Sequence, residues 1–299
     1  MPLSNRVSTS ISSLGTGQSD GIHSSVKHSV GQSLSSSSIE GQRNYKIHHD
    51  ARISLVGAGP GDPELITLKA LNALKGADVI LYDSLANPAL LDHNPNAKRV
   101  FVGKRKGWQR YSQEEINDLL LYFAQHPWHI VRLKGGDPMI FGRAMEELIT
   151  ARKYGIPIKV VPGVSAYSGM SAQLQVPLTE RGISKSFWVV TGTNKKGQLT
   201  KDIALAAQST ANVVVYMGIS QLERIVSLFA LHQPPDYPIG IVQNATSTNV
   251  RTLSGQLDNI LTLQAIAQLG SPGLIVLGPA AQHLDELAHK MVHNEWGSR

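Results

Sequence analysis

Two apolar runs in this chain end in glycine and aspartate. The first reads Val56-Gly57-Ala58-Gly59-Pro60-Gly61-Asp62-Pro63, the second Val131-Arg132-Leu133-Lys134-Gly135-Gly136-Asp137-Pro138. Glycine puts no Cβ between ligand and main chain, so backbone N–H and C=O groups can be approached closely. In open parallel α/β sheets, ligands bind beyond the carboxyl ends of the strands. The second junction fits a tight structural turn as well as a ligand loop. Better-known chemistries fail at these loops. A dinucleotide fingerprint starting at Gly57 and Gly59 needs a third glycine where Asp62 stands, and no Gly-Lys-Ser/Thr follows as a phosphate-binding loop requires. Pro162-Gly163-Val164-Ser165-Ala166-Tyr167 is not a nucleophile elbow, because Tyr167 occupies the place of the second glycine.

Other side chains add charge. Asp83 closes the run Val79-Ile80-Leu81-Tyr82, where a carboxylate can take a proton or cap a turn. Between Lys98 and Arg110 stand six basic residues and no acidic one. That run is either a solvated loop or a site for a polyanion. The chain has no cysteine, which excludes disulfides, thiolate nucleophiles and Cys-based metal centres. Its net charge of +6 suits an anionic small molecule as well as a nucleic acid. Aromatic residues make up only 6%, without the interleaving that single-strand stacking needs, so no nucleic-acid partner is expected.

These loops need strands and helices to hold them. Apolar runs predict strands at 53–56, 79–82, 99–102, 128–133 and 156–161. Helical patterns run over 64–75 and 143–154, with a short helix and turn over 87–96. Ser112 with Glu115 forms a capping box that starts a helix reaching about Gln125. A second set of strands is predicted at 186–190, 212–217, 239–242 and 273–277, with an edge strand at 251–255. Helices lie between them at 201–208, 221–231 and 257–267, and a terminal helix follows Gln282. The expected organisation is a Ser-rich tail or leader over 1–50, an N-terminal α/β domain over 51–167 and a C-terminal α/β domain over 168–290. Residues 1–50 are too poor in large apolar groups to offset their ordering entropy and are read as disordered. Their Ser-rich character also resembles an organellar leader, although arginine is scarce. No apolar run approaches the roughly 18–20 residues that cross a bilayer, so no membrane partner and a cytoplasmic chain are expected.

In this order the motifs resemble one family. Val56 to Pro63, Tyr82-Asp83, Val102-Gly103-Lys104-Arg105, Gln113 to Asn117, Val131 to Arg143, Val161-Pro162-Gly163, Pro177-Leu178-Thr179 and Tyr216-Met217-Gly218 are similar to uroporphyrinogen-III C-methyltransferases. The resemblance runs from about residue 52 to 281. The two glycine loops alone would mark only the wider tetrapyrrole methylases. The resemblance implies two α/β domains of the tetrapyrrole methylase (class III methyltransferase) type, a site in the cleft between them, and a homodimer. It implies S-adenosylmethionine as methyl donor, no metal, and methylation of uroporphyrinogen III at C2 and C7 to precorrin-2, leading to siroheme or corrinoids.

The resemblance also implies roles. The donor would lie against Pro60, Gly135, Gly136, Asp137, Ile140, Ser165, Ala166, Met217 and Ala245. Asp83 would accept a proton and Lys104 donate one. The substrate carries eight carboxylates, so Arg105, Lys106, Arg143 and Arg181 are candidates to bind them, with Arg132 a further one. The chain departs from the family pattern at Ala144-Met145, where two glycines are usual, and at Ser165, Glu180, Ala245 and the Trp108-Gln109-Arg110-Tyr111 segment. More of these changes lie on the substrate side than on the donor side, so a methylase of a later precorrin or cobalt-precorrin is the alternative.

Overall fold

The computed structural model describes residues 44–103, 111–194 and 196–284. Five short runs of apolar residues form the first sheet: β1 (Arg52–Gly57), β2 (Val79–Tyr82), β3 (Lys98–Phe101), β4 (His129–Lys134) and β5 (Ile158–Val161). They pair in parallel in the order β3-β2-β4-β1-β5. β4 is buried along its whole length, as a central parallel strand covered on both faces should be. On one face Val56, Ile80, Val131, Leu133 and Val161 pack against Ala70, Ala73 and Leu74 of α1 (Leu68–Lys75). Side chains alternate across a strand, so Arg132 and Lys134 point to the opposite face. There they meet Glu147 of α3 (Ala144–Lys153), whose neighbour is α2 (Gln113–Phe123).

The chain then passes through α4 (Ala166–Gln173) into a second sheet of β6 (Phe187–Thr191), β7 (Asn212–Tyr216), β8 (Pro238–Gln243), β9 (Arg251–Gln256) and β10 (Gly273–Leu277). Its order is β6-β7-β10-β8-β9. Only β6 and β7 are parallel; β10 runs antiparallel to both β7 and β8, and β9 antiparallel to β8 at the edge. Val213, Val215, Ile239, Ile241 and Ile275 face α5 (Lys201–Ala207), α6 (Leu222–Phe229) and α7 (Ile260–Ala267). Val214, Val242, Leu274 and Val276 face the other way, onto Met170 of α4 and Leu174 just after it.

Three expectations change. The helix over 64–75 is broken: a 3-10 turn spans Pro63–Leu65, Ile66 is extended, and Thr67 caps α1 through Ala70 N–H. A hydroxyl satisfying an orphan N–H explains why α1 begins late. The small residues after Gly163 are not all loop, since α4 begins at Ala166. The strand expected at 156–161 begins only at Ile158. The α2 capping box is present, with Ser112 Oγ accepting from Glu115 N–H and Glu115 Oε2 from Ser112 N–H. The tail over 1–50, read as disordered from its sequence, lies outside the described residues except for 44–50. The terminal helix is described only as far as His283 and Leu284.

Candidate functional site

The loops after β1, β4 and β5 meet backbone to backbone. Gly59 and Gly136 exchange main-chain hydrogen bonds, with Gly136 N–H donating to Gly59 O at 2.7 Å and Gly59 N–H to Gly136 O at 3.3 Å. A Cβ on Gly57 would stand 2.7 Å from Gly136 O and 2.5 Å from Gly163 N. Any side chain at this crossing would force the three loops apart. Asp137 ties them further. Its Oδ2 accepts from Gly163 N–H at 3.1 Å and its Oδ1 from Met139 N–H at 2.8 Å. Both oxygens are therefore committed to shaping the loops, with lone pairs to spare for a ligand. Gly136 adopts φ 67°, and a Cβ there would meet nothing within 4 Å. Its bare Cα thus faces open space.

Loops of the second half close on these. Thr246 Oγ1 accepts from Asp62 N–H at 3.2 Å, while Thr246 N–H donates to Gln173 Oε1 at 2.7 Å. A Cβ on Gly169 would meet both Pro60 and Thr246 at 2.7 Å. Pro60, the start of α4 and the Ala245-Thr246 turn are thereby brought together. Tyr216 makes the other junction. Its hydroxyl accepts from Tyr167 N–H at 2.9 Å, and its ring lies 5.2 Å from that of Phe141. Burial pushes the Tyr216 phenol up to about 12. Met217 follows with φ 54° and is half exposed, as is Phe141 with φ 52°. Ser165 is buried at the N-terminal end of α4, and its side chain makes no capping bond. Phe141, Arg143, Met217, Asn244 and Thr246 are five of the seven non-glycine residues with positive φ among the described residues. Backbone strain of this kind concentrates at ligand-binding loops.

Of the two acid–base candidates, Asp83 lies beside the glycine crossing. Asp83 Oδ1 accepts from Leu85 N–H at 3.0 Å, so the carboxylate does cap its own turn. Its Oδ2 is 3.5 Å from Arg132 Nη2, and the side chain keeps 22% of its surface exposed. Leu85 packs against Gly135, and Ser84 against Gly103 at the end of β3. Gly103 is the last described residue before Lys104, Arg105 and Lys106, which lie outside the described residues, as do Trp108, Gln109 and Arg110. Two members of the basic run are engaged elsewhere. Lys98 sits over the Trp128 ring at 5.2 Å, and Arg99 donates to Leu91 O at 2.8 Å.

Arg132 is not available to a substrate carboxylate. It is buried in β4, where Nε donates to Glu147 Oε1 at 3.1 Å and Nη1 to Leu133 O at 2.8 Å. Lys134 Nζ donates to both oxygens of Glu147, at 3.1 and 2.9 Å, and Glu147 is fully buried. Burial, followed by the positive charge of Arg132, pushes the Lys134 amine down against the pull of Glu147. Arg143 is exposed and bidentate with Glu146, both bonds at 2.7 Å, which raises its pKa. Arg181 is exposed in the turn closed by Glu180 and Ser184. Among the described residues, no hydrogen bond or ion pair ties it to the other loops. Glu147, Lys134 and Tyr216 were not singled out as single residues from sequence. Signals for two of them were there. Arg132 and Lys134 stand two apart on one face of a buried strand, and Glu147 lies on the buried stripe of α3 with Ala144, Leu148 and Ala151.

An open glycine backbone on the same loop as the half-exposed Phe141 suits a ligand with both polar and flat apolar parts. The comparisons agree. The sequence profile of the Tetrapyrrole (Corrin/Porphyrin) Methylases matches residues 52–261. A uroporphyrinogen-III C-methyltransferase of Methanocaldococcus jannaschii is 39% identical over 239 residues, 78% of this chain and 98% of that protein. A siroheme synthase of Escherichia coli K12 is 42% identical over 246 residues, 82% of this chain but 53% of that protein, so the chain spans about half of it. The uroporphyrin-III C-methyl transferase of Thermus thermophilus, complexed with S-adenyl homocysteine, superposes with a TM-score of 0.66 at 39% identity, covering 77% of this chain and 99% of the other. The chain belongs to the tetrapyrrole (corrin/porphyrin) methylase family.

Proposed function

We propose that the chain is an S-adenosylmethionine-dependent C-methyltransferase that methylates uroporphyrinogen III at C2 and C7 to give precorrin-2. The observation that carries this reading is identity of 39% along 98% of the M. jannaschii C-methyltransferase. The convergence of the strand-end loops on one open glycine backbone supports it. The donor supplies a sulfonium methyl, an electrophile that an electron-rich ring carbon takes without help from a protein nucleophile. What remains for the chain is alignment, the entropic part of catalysis.

In this reading Gly135, Gly136, Ser165 and Ala166 offer main-chain groups to the donor. Pro60, Ile140, Met217 and Ala245 give its apolar contacts. Asp137 holds the walls of the pocket through Gly163 and Met139. Each transfer forms one C–C bond, breaks one S–C bond with the pair staying on sulfur, and releases one ring proton. Asp83 is the acceptor of that proton; a proton given to the macrocycle by Lys104 leaves it again as the ring system rearranges, so the net release stays one per transfer. Arg105, Lys106, Arg143 and Arg181 meet carboxylates of the substrate; Arg143 must then share its guanidinium with Glu146.

The active species in this proposal is a homodimer. Met145 and Ile149 are half exposed on α3, at i and i+4, apolar side chains of the kind a second copy covers. Light scattering after gel filtration tests it; a monomer at micromolar concentration overturns it. No helix among the described residues is long and apolar enough to cross a membrane. We place the reaction in the cytoplasm, and mapping the mature N-terminus tests whether residues 1–50 are instead removed as a leader. The test of function is incubation with uroporphyrinogen III and S-adenosylmethionine, reading the mass of the product. A gain of two methyl groups is expected. No gain, or methylation of a cobalt-bearing precorrin alone, overturns the proposal.

A further inference from the structure

Four charged groups form a chain from the interior to the site: Lys134, Glu147, Arg132 and Asp83. The first three are almost wholly buried, and only Asp83 reaches the surface. A buried ion network stabilises a fold little more than apolar residues of the same volume. Apart from His129 at its start, the rest of β4 is apolar, so a structural need would be met as well by Val or Leu at residues 132 and 134. The geometry has a direction instead. Glu147 takes Arg132 Nε and both Lys134 contacts, and Gln113 Nε2 closes on it at 3.4 Å. Leu133 O takes Nη1. With two of its nitrogens fixed, the planar guanidinium can point Nη2 only one way, and Asp83 Oδ2 lies there at 3.5 Å. The other oxygen is fixed by Leu85 N–H.

We propose that Arg132 is a positioning residue for the Asp83 carboxylate, held in register by Glu147 and Lys134. The inference rests on the reading of Asp83 as the proton acceptor. Asp83 has a single β-carbon, one oxygen held by Leu85 N–H in its own turn and the other faced by Arg132 of β4, so the plane of the carboxylate is constrained from behind. Arg132 does not touch substrate; it acts through Asp83.

The test is a double-mutant cycle on the full chain, with turnover, donor affinity and thermal midpoint measured on each protein. Arg132→Lys keeps the buried charge but offers one ammonium where the fork served both carboxylates. We expect turnover to fall at least tenfold while donor affinity stays within twofold. Asp83→Asn is expected to lose a hundredfold or more, and adding Arg132→Lys to it to lose nothing further. Asp83→Glu, which is partly exposed and moves the carboxylate by one methylene, is expected to lose at least tenfold with an unchanged melting point. It serves if Arg132→Lys does not fold. Full turnover in Arg132→Lys or in Asp83→Glu, or losses that simply multiply in the double variant, overturn the positioning role and leave the Asp83 reading standing. Full turnover in Asp83→Asn removes that reading, and this inference with it.

Discussion

Replacing Glu147 with Gln tests how much of the fold leans on one buried carboxylate. Glu147 is fully buried and accepts from Arg132 Nε at 3.1 Å and Lys134 Nζ at 2.9 and 3.1 Å. Glutamine keeps the volume and one carbonyl oxygen but removes the charge. Arg132 still faces Asp83, whereas Lys134 loses its anionic partner, so the site carries an uncompensated positive charge. Removing one partner of a buried pair costs about 3–5 kcal/mol. At about 2–4 °C per kcal/mol for a domain of this size, the melting temperature should fall by about 6–20 °C. The double variant Lys134→Met with Glu147→Leu removes both charges and leaves Arg132 with Asp83. It should recover more than half of the loss. Chemical denaturation of the three proteins, with unchanged slope in denaturant, gives the comparison. A Glu147→Gln protein within about 1 kcal/mol of the parent, or a double variant less stable than the single one, would refute the reasoning, since an unpaired buried charge cannot be that cheap.

Other outcomes follow from the same geometry. Gly163→Ala places a methyl against Gly136 O and Gly57 Cα, so donor binding by calorimetry should be lost or weakened at least tenfold. Gly136→Ala meets no atom, so the φ of 67° should cost only about 1–2 kcal/mol of stability, while the methyl enters the open space and weakens the donor more than it weakens the fold. Tyr216→Phe leaves Tyr167 N–H without its acceptor and should cost about 1 kcal/mol, read as a severalfold weaker donor affinity. His129 bonds to Ser54 Oγ and Gly76 O, and burial holds its pKa below 6.5. The unfolded chain therefore binds the proton first as pH falls through 6.5. The stabilisation present above 6.5 is lost from there down to the folded pKa, and His129→Gln should flatten that part of the stability–pH curve.

The strands were legible because their signal is local. Ile53 to Val56, interrupted only by Ser54, and Val79 to Tyr82 and Gly273 to Leu277 are apolar runs bounded by glycine, proline or charge. α4 was not legible. Its sequence Ala166-Tyr167-Ser168-Gly169-Met170-Ser171-Ala172-Gln173 has no apolar period, and only Gly169 and Met170 are buried. It is helical because the second sheet accepts Met170 and Leu174 beneath Val214 and Val242. The antiparallel seat of β10 between β7 and β8 had no local signature either, since buried strands read alike in both directions. In the site, the glycines at 57, 59, 135, 136 and 163 announced close backbone approach; the partners of Gly57, Gly59, Gly136 and Gly163 are one another, Gly135 meets Leu85, and Gly136 also faces open space. The commitment of Arg132 was hidden because the residue that binds it, Glu147, is fifteen positions on and belongs to another element.

In the proposed reaction the loops around Gly136 align a sulfonium methyl with a tetrapyrrole carbon. The most direct measurement is a single incubation of the full chain with uroporphyrinogen III and S-adenosylmethionine carrying a labelled methyl, followed by mass analysis of the tetrapyrrole. Two labelled methyl groups per macrocycle are expected, and far fewer from the Gly163→Ala variant at limiting donor. A tetrapyrrole recovered unlabelled from the parent chain, or labelled as fully by Gly163→Ala as by the parent, would contradict the proposed reaction.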